Sequence, residues 1–259
     1  MEDYKIDNIT IQESFTLPSL GKIYSRDINS KFRMRSMTTE DEMRRLSPSE
    51  NAYEVLSQVI DDCVLDPIGI SAYDMHLGDY QYLLHRLWVV TYGPEYKVQT
   101  VCPACGNIDK YSIDLDDLAV LEYNEEEYKK YSTVYLPNCK KTVELKFQTP
   151  RILDQIAQKK KDAKRRNPDL NINLDTLYNA QSMIKTIDGQ VVDPVRLEQM
   201  VRKMSMGDTA RIIQAGSKLN LKIGLQAIVP TRCSECGVDY NAPFRITGEF
   251  FGPTFDEWW

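Results

Sequence analysis

Apolar residues follow two spacings along this chain, and the changes between them outline its elements. Residues 1–31 read as an extended, turn-rich arm, in which Leu17-Pro18-Ser19-Leu20-Gly21-Lys22-Ile23-Tyr24 sets Pro and Gly at turn spacing between apolar residues. Phe32-Arg33-Met34-Arg35-Ser36-Met37 alternates apolar and polar positions, as a half-buried strand does. Thr39 stands three residues before Glu42, a capping-box start, and Met43 and Leu46 supply the apolar face of a helix that stops at Ser47-Pro48. Tyr53, Leu56, Val59, Ile60 and Cys63 fall on one stripe and predict a second helix from about Ser49 to Cys63. After a turn at Asp66-Pro67-Ile68-Gly69, a third helix runs from Ala72 or Asp79 to Tyr92. Its dense apolar positions (Tyr80, Leu83, Leu84, Leu87, Trp88) make it a central core helix, and Gly93-Pro94 ends it.

The second half alternates short extended runs with helices. Asn124-Glu125-Glu126-Glu127-Tyr128-Lys129-Lys130 reads as a solvated charged stretch. Strands are predicted at 133–136 and 142–148, joined by a turn at Pro137-Asn138-Cys139-Lys140. Thr149-Pro150 supplies an N-cap and a proline at the first helical position. Ile152, Leu153, Ile156 and Ala157 then give the helix its apolar face before the basic run Lys159 to Arg166. Further helices are expected at 174–185, 194–204 and 207–219, with a hairpin turn at Ile187-Asp188-Gly189-Gln190-Val191. The expected class is therefore α+β and mainly helical. Its regions are an N-terminal arm and helical region (1–95), a first half-ribbon (96–119), a mostly helical inserted domain (120–226), and a second half-ribbon with an aromatic tail (227–259).

Composition adds bounds. A chain of 259 residues can bury a real core as one large or two modest domains. A formal charge of −6 argues against a dedicated nucleic-acid binder. The charged start Met1-Glu2-Asp3-Tyr4-Lys5 lacks the apolar core of a secretory signal, and no apolar run reaches the roughly 20 residues needed to span a bilayer. A reducing compartment is the expectation, which favours thiolate–metal chemistry over disulfides.

The chemistry concentrates in two cysteine pairs, Cys102-Pro103-Ala104-Cys105-Gly106 and Cys233-Ser234-Glu235-Cys236-Gly237. Each follows a short extended run, carries a Gly after its second cysteine, and leads into apolar alternation. Two residues between cysteines let both sulfurs reach a tetrahedral ion at about 2.3 Å, so two such knuckles make a four-thiolate structural zinc site. Four protein ligands leave no open position for catalysis. A redox dithiol is the competing account of Cys-Pro-Ala-Cys, but strand-like sequence follows it where a thiol-activating helix would be needed. Disulfides or inert pairs are the remaining alternatives.

Other candidates have local explanations. Cys63 is in phase with its helix stripe and reads as a small buried hydrophobe, and Cys139 as a free thiol in a turn. His76 and His85 lie on or near the third helix, away from both knuckles, where packed or solvated histidines are commonplace. No Ser-His-Asp order, phosphate-cradling Gly loop or His-Glu-x-x-His pattern is present, so no enzymatic activity is expected. The run Lys159 to Arg166 reads as a solvated helix end whose charge suits the dipole, with nucleic-acid contact as the alternative. The C-terminus places five aromatics in ten residues (Phe250, Phe251, Phe255, Trp258 and Trp259). They form either a tail folded onto its own core or an anchor for a partner.

The order Leu17-Pro18-Ser19-x-Gly21-x-x-Tyr24, a short alternating strand, Thr38-Thr39-Glu40-Asp41-Glu42 leading into helix, and then split cysteine pairs resembles the baseplate hub and baseplate-assembly proteins of contractile-tailed, myovirus-like bacteriophages. The resemblance implies a structural or assembly protein that works with other hub components. It would act in the virion tail baseplate and in the host cytoplasm during assembly. The alternative is a nucleic-acid-binding zinc-ribbon accessory factor, which would need more positive charge around the knuckles than Lys97, Lys110 and Arg232 give against Asp109, Glu235 and Asp239.

Overall fold

A computed structural model describes residues 11–167, 172–226 and 228–243. Strand β1 (Gln12–Thr16) pairs antiparallel with β2 (Lys31–Arg35), setting Phe15 opposite Phe32. The excursion between them carries the Pro–Gly turn and is anchored at its base: Leu17 and Ser19 are fully buried. The Ser19 N–H donates to Asp79 Oδ1 at 3.0 Å, and the Tyr24 hydroxyl donates to Asp79 Oδ2 at 2.6 Å. The arm is thereby locked onto the first turn of the central helix, and its two polar anchors come from the Leu-Pro-Ser-x-Gly-x-x-Tyr run.

Helix α1 (Thr39–Arg45) starts one residue earlier than its sequence suggests. Thr38 is the N-cap, and the capping box closes with Asp41, not between Thr39 and Glu42. The shift follows from Arg35, whose guanidinium bonds Asp41 Oδ2 at 2.6 Å and draws that carboxylate under the cap. The helix lies on the surface, so the expected apolar face is open: Met43 and Leu46 are 68% and 58% exposed. Helix α2 (Ala52–Cys63) buries Leu56, Val59, Ile60 and Cys63 as its stripe predicts. Asn51 at its start makes no side-chain cap. The cap comes from another helix instead: buried Asp154 of α5 (Pro150–Arg166) accepts from the Tyr53 and Glu54 amides at 3.4 and 3.1 Å and from the Tyr73 hydroxyl at 3.1 Å. Helix α3 (Leu77–Tyr92), preceded by a short 3-10 turn at Ala72–Asp74, runs through the first core, with Leu83, Leu84 and Leu87 almost wholly out of solvent.

Strands β3 (Glu95–Val101) and β4 (Ile108–Asp114) form the first ribbon. Beyond it come β5 (Val120–Leu121) and α4 (Glu125–Ser132). The charged stretch expected to be solvated is thus helical. Asn124 caps it, three glutamates occupy its first turn and two lysines its last, a charge order that favours the helix dipole. Strands β6 (Thr133–Leu136), β7 (Lys141–Leu145) and β8 (Ile184–Ile187) make an antiparallel sheet in the order β6-β7-β8. Around it pack α6 (Asp175–Met183), α7 (Pro194–Lys203) and α8 (Met206–Leu221), giving a second core that includes Leu136, Val143, Ile212 and Leu219. Strand β9 (Gly224–Leu225) then pairs with β5, and β10 (Ile228–Arg232) with β11 (Asp239–Pro243) forms the second ribbon.

The expectation of a mainly helical protein is overturned. The described residues are about 44% helix and 23% strand, a mixed α+β fold with several small sheets. The excess strand comes from segments too short for a strong periodic signal, such as β5 and β9, and from β8. There the helix expected to reach 185 stops at Met183, because Ile184, Thr186 and Ile187 are β-branched and pair with β7.

Two outcomes follow for stability. Replacing Asp154 by Ala leaves two part-buried amide donors at the start of α2 without their carboxylate and should lower unfolding free energy by about 1 kcal/mol in urea titrations. Asp41 is pushed up by burial but held down more strongly by Arg35 and by the Thr38 amide and hydroxyl, to about 2 against an ordinary 3.8. A carboxylate whose folded value is depressed contributes stability above its unfolded value, and that contribution disappears as pH falls from about 4 towards 2. Stability measured by urea titration across that window should fall in the native protein, and by a smaller amount in Asp41→Asn.

Candidate metal centre

Each knuckle is built by the same backbone device. In the first, the Cys102 amide donates to the Asn107 carbonyl at 2.8 Å and the Gly106 amide to the Cys102 carbonyl at 2.9 Å. In the second, Cys233 donates to Val238 and Gly237 to Cys233, both at 3.0 Å. The glycine after the second cysteine closes each turn at positive φ, +76° for Gly106 and +70° for Gly237, a region costly for any residue with a Cβ. This is why the same Cys-x-x-Cys-Gly spelling recurs in two stretches more than a hundred residues apart.

The fold brings the two knuckles together. The four sulfurs of Cys102, Cys105, Cys233 and Cys236 all lie within 4.8 Å of one another. Cys102 Sγ is 3.7 Å from Cys236 Sγ, and Cys105 Sγ is 3.6 Å from Cys233 Sγ. Tetrahedral ligands about 2.3 Å from one ion stand about 3.8 Å apart, so the arrangement suits a metal. Cys102 and Cys233 are buried, and Cys105 and Cys236 face solvent. Without a cation the thiols cannot all ionise: Cys102 is lowered to about 7, by the Cys105 amide foremost. Cys105 is drawn down by the Asn107 amide, but Cys236, desolvation and the other two sulfurs outweigh this and push it up to about 12. A bound metal would release that conflict and favour the closed arrangement.

One support of this centre was not legible in the cysteine spacing. Asp109, two residues beyond the first knuckle's turn, accepts from the Ser234 hydroxyl and from the Ser234 amide at 3.3 Å. Asn107 Nδ2 donates both to Asp109 at 2.9 Å and to the Ser234 hydroxyl at 3.2 Å. Farther along the ribbons, the hydroxyls of Thr100 and Tyr240 meet at 2.7 Å. Asp109 thus joins one knuckle to the other. The only sequence signal would have been an Asx residue beside the turn, which is too common to single out.

The other candidates lie elsewhere. Cys63 is fully buried and pushed up to about 12 by burial. Cys139 is an exposed thiol whose amide donates to Asp208 at 3.0 Å. His76 caps α3, accepting from the Gly78 amide at 2.8 Å, and burial takes it down to about 3. His85 meets the Leu115 carbonyl at 2.9 Å, and burial takes it down to about 4. Both histidines are packed. The basic run ends α5 in solvent, with Lys160 paired to Asp175 and Arg165 near Glu50. The aromatic residues Phe250, Phe251, Phe255, Trp258 and Trp259 lie outside the described residues. Among the described residues, no helix is long and apolar enough to cross a membrane.

A family model described as T4 bacteriophage base plate protein matches residues 9–252, nearly the whole chain. The chain belongs to this phage baseplate family. The match spans the arm, both cores and both knuckles, so the resemblance first seen in the Leu-Pro-Ser-x-Gly-x-x-Tyr run extends well beyond it. As a baseplate protein it is a structural component of the virion tail. No curated protein and no solved structure matches the chain.

Replacing Asp109 by Ala keeps all four thiols but unties the knuckles. Metal affinity, measured by competition with a chromogenic chelator, should fall about tenfold, while the chain remains folded by circular dichroism.

Proposed function

We propose that this baseplate protein is a hub-side structural or assembly component of a contractile tail, held in shape by one zinc ion on Cys102, Cys105, Cys233 and Cys236. The observation that carries the zinc assignment is the sulfur spacing of 3.6 and 3.7 Å across the two knuckles. Four thiolates in this arrangement suit zinc, with iron–sulfur chemistry the other occupant of such a donor set. A full set of protein ligands makes the ion a staple with no place for substrate. We therefore assign the chain no enzymatic role; it acts through contacts with other tail proteins, first in the host cytoplasm and then in the assembled tail.

The segment 120–226 is, in this reading, an inserted unit. Two features support it: residues 128–219 contribute a core of their own, and β5 and β9 lie side by side where the segment leaves and returns. The zinc then ties the chain before the insertion to the chain after it. That second part leads into Phe250, Phe251, Phe255, Trp258 and Trp259, whose aromatic content suits an anchor in a partner surface.

Elemental analysis of the purified protein should find one zinc per chain, released with loss of structure on chelation. Cys102→Ser or Cys236→Ser should reduce solubility and incorporation into baseplates together. Truncation after Thr247 should keep the zinc and lose partner binding. A metal-free double cysteine variant that folds and is incorporated normally would overturn the zinc staple, and partner binding by the truncated chain would assign the tail to its own core.

A further inference from the structure

Away from the cysteines, the second core opens into a cleft of about 350 Å³ between α5, α6 and the loop joining β8 to α7. Ile152 and Ile156 of α5, with Ile184, Val192 and Leu197, supply apolar walls. No carboxylate lines the cleft, although the chain as a whole is acidic. Three lysines do line it. Lys185 is answered by Glu144 at 2.7 Å, but neither Lys146 nor Lys159 meets a carboxylate among the described residues. The Lys159 ammonium stands 5.7 Å from the centroid of the Tyr178 ring. Lys146 is pulled down in pKa by desolvation and then by Lys159, as expected of a cation set beside a like charge with no counter-ion.

A second observation points to a ligand. Gln181 lines the same cleft and is buried; its Nε2 donates to the Pro194 carbonyl at 2.9 Å, while its Oε1 receives no donor among the described residues. A buried acceptor left unanswered is costly. Two cations that meet no carboxylate among the described residues, aliphatic walls and an acceptor in need of an N–H are together the complement of an extended peptide with carboxylates spaced among aliphatic side chains. Nucleic acid would answer the lysines but not the walls, which offer bases no aromatic platform except Tyr178, already beside Lys159.

We propose that this cleft docks an acidic, aliphatic peptide segment of another tail protein. The proposal rests on the reading that the chain works through protein contacts, and it names the chemistry of one of them. The carboxylates would pair with Lys146 and Lys159, the aliphatic side chains would fill the space between Ile156 and Leu197, and a backbone amide would donate to Gln181.

The test places a photo-reactive benzoylphenylalanine at Val191, which is 84% exposed on the rim of the cleft, in the phage that carries this protein. Purified baseplates are irradiated and the cross-linked peptides sequenced. The expected product is a segment of a different tail protein with Asp or Glu among aliphatic residues. Its yield should fall about tenfold in the pair Lys146→Glu and Lys159→Glu. The uncharged pair Lys146→Gln and Lys159→Gln, which guards against misfolding of the reversed pair, should show a fall of about threefold or more. Absence of a cross-link overturns the proposal, as does a cross-link confined to this chain, to nucleic acid or to a segment without carboxylates, or a yield unchanged in both pairs. Incorporation of the cysteine variants, scored in the same phage, keeps the two readings apart. If the cleft result fails while those variants still block assembly, only the docking proposal falls.

Discussion

The four thiols meet where two glycines let the chain cross itself closely at the foot of α3. A Cβ on Gly78 would stand 2.0 Å from the Ile223 carbonyl oxygen, and one on Gly224 would stand 2.6 Å from the Gly78 backbone. Neither contact has a flexible side chain that could move aside. Gly224 also adopts φ of +104°, which excludes most L-residues. With the chain held there, Gly224 and Leu225 pair antiparallel with Leu121 and Val120, and the Gln226 amide donates to the Ala119 carbonyl at 2.7 Å. The returning chain therefore runs back along the path by which residues 115–121 left the first ribbon. Antiparallel direction sends β10 towards β3 and β4, and the second knuckle arrives beside the first. The thiol cluster is a consequence of this crossing as much as of the cysteine spacing.

A second regularity is the use of aspartates inside the fold. Asp41, Asp79, Asp154 and Asp208 are all buried, and each accepts from backbone amides. Asp41 caps its own helix α1, whereas Asp79, Asp154 and Asp208 bind segments distant in sequence: the arm, the start of α2 and the Asn138–Cys139 turn. A carboxylate can take several donors at once, so one residue can fix both a helix start and the element that packs on it. The arm on α3 and α5 on α2 are joined in this way. Such joints are directional, so each fixes the orientation as well as the contact of the two elements it joins.

What sequence reasoning could reach follows the range of the interactions involved. Helices with strong apolar stripes or local caps were legible: α2, α3 and the Thr149-Pro150 start of α5 form where their own residues favour them. The knuckles were legible because each is closed by its own hydrogen bonds and its own glycine. The errors arose where a residue outside the element itself decided the outcome. Arg35 moved the α1 capping box onto Asp41, and pairing with β7 turned residues 184–187 into strand. The trans cap from Asp154 and the Asp109–Ser234 tie join residues separated by 100 and 125 positions, beyond any local pattern. The charged stretch at 124–130 is solvated as expected, with no residue of α4 buried, but its polarity hid the helix and the partial packing of Tyr128 and Tyr131 on the second core.

Net charge is subject to the same limit, with consequences for partners. A total of −6 describes the chain from a distance, where salt screens beyond about a Debye length of 8–10 Å. A partner's side chain at contact experiences only the charges within that radius. Lys146 follows β7, Lys159 sits on α5 and Lys185 on β8, three stretches that come together only in the fold. Much of the acid nearby is already engaged: Glu144 by Lys185 and Thr186, Asp175 by Lys160. The cleft is therefore cationic within an acidic protein. A net acidic chain with a local cationic cleft can repel most acidic neighbours at long range and still hold one acidic segment that reaches the cleft, a combination that favours selectivity over general affinity.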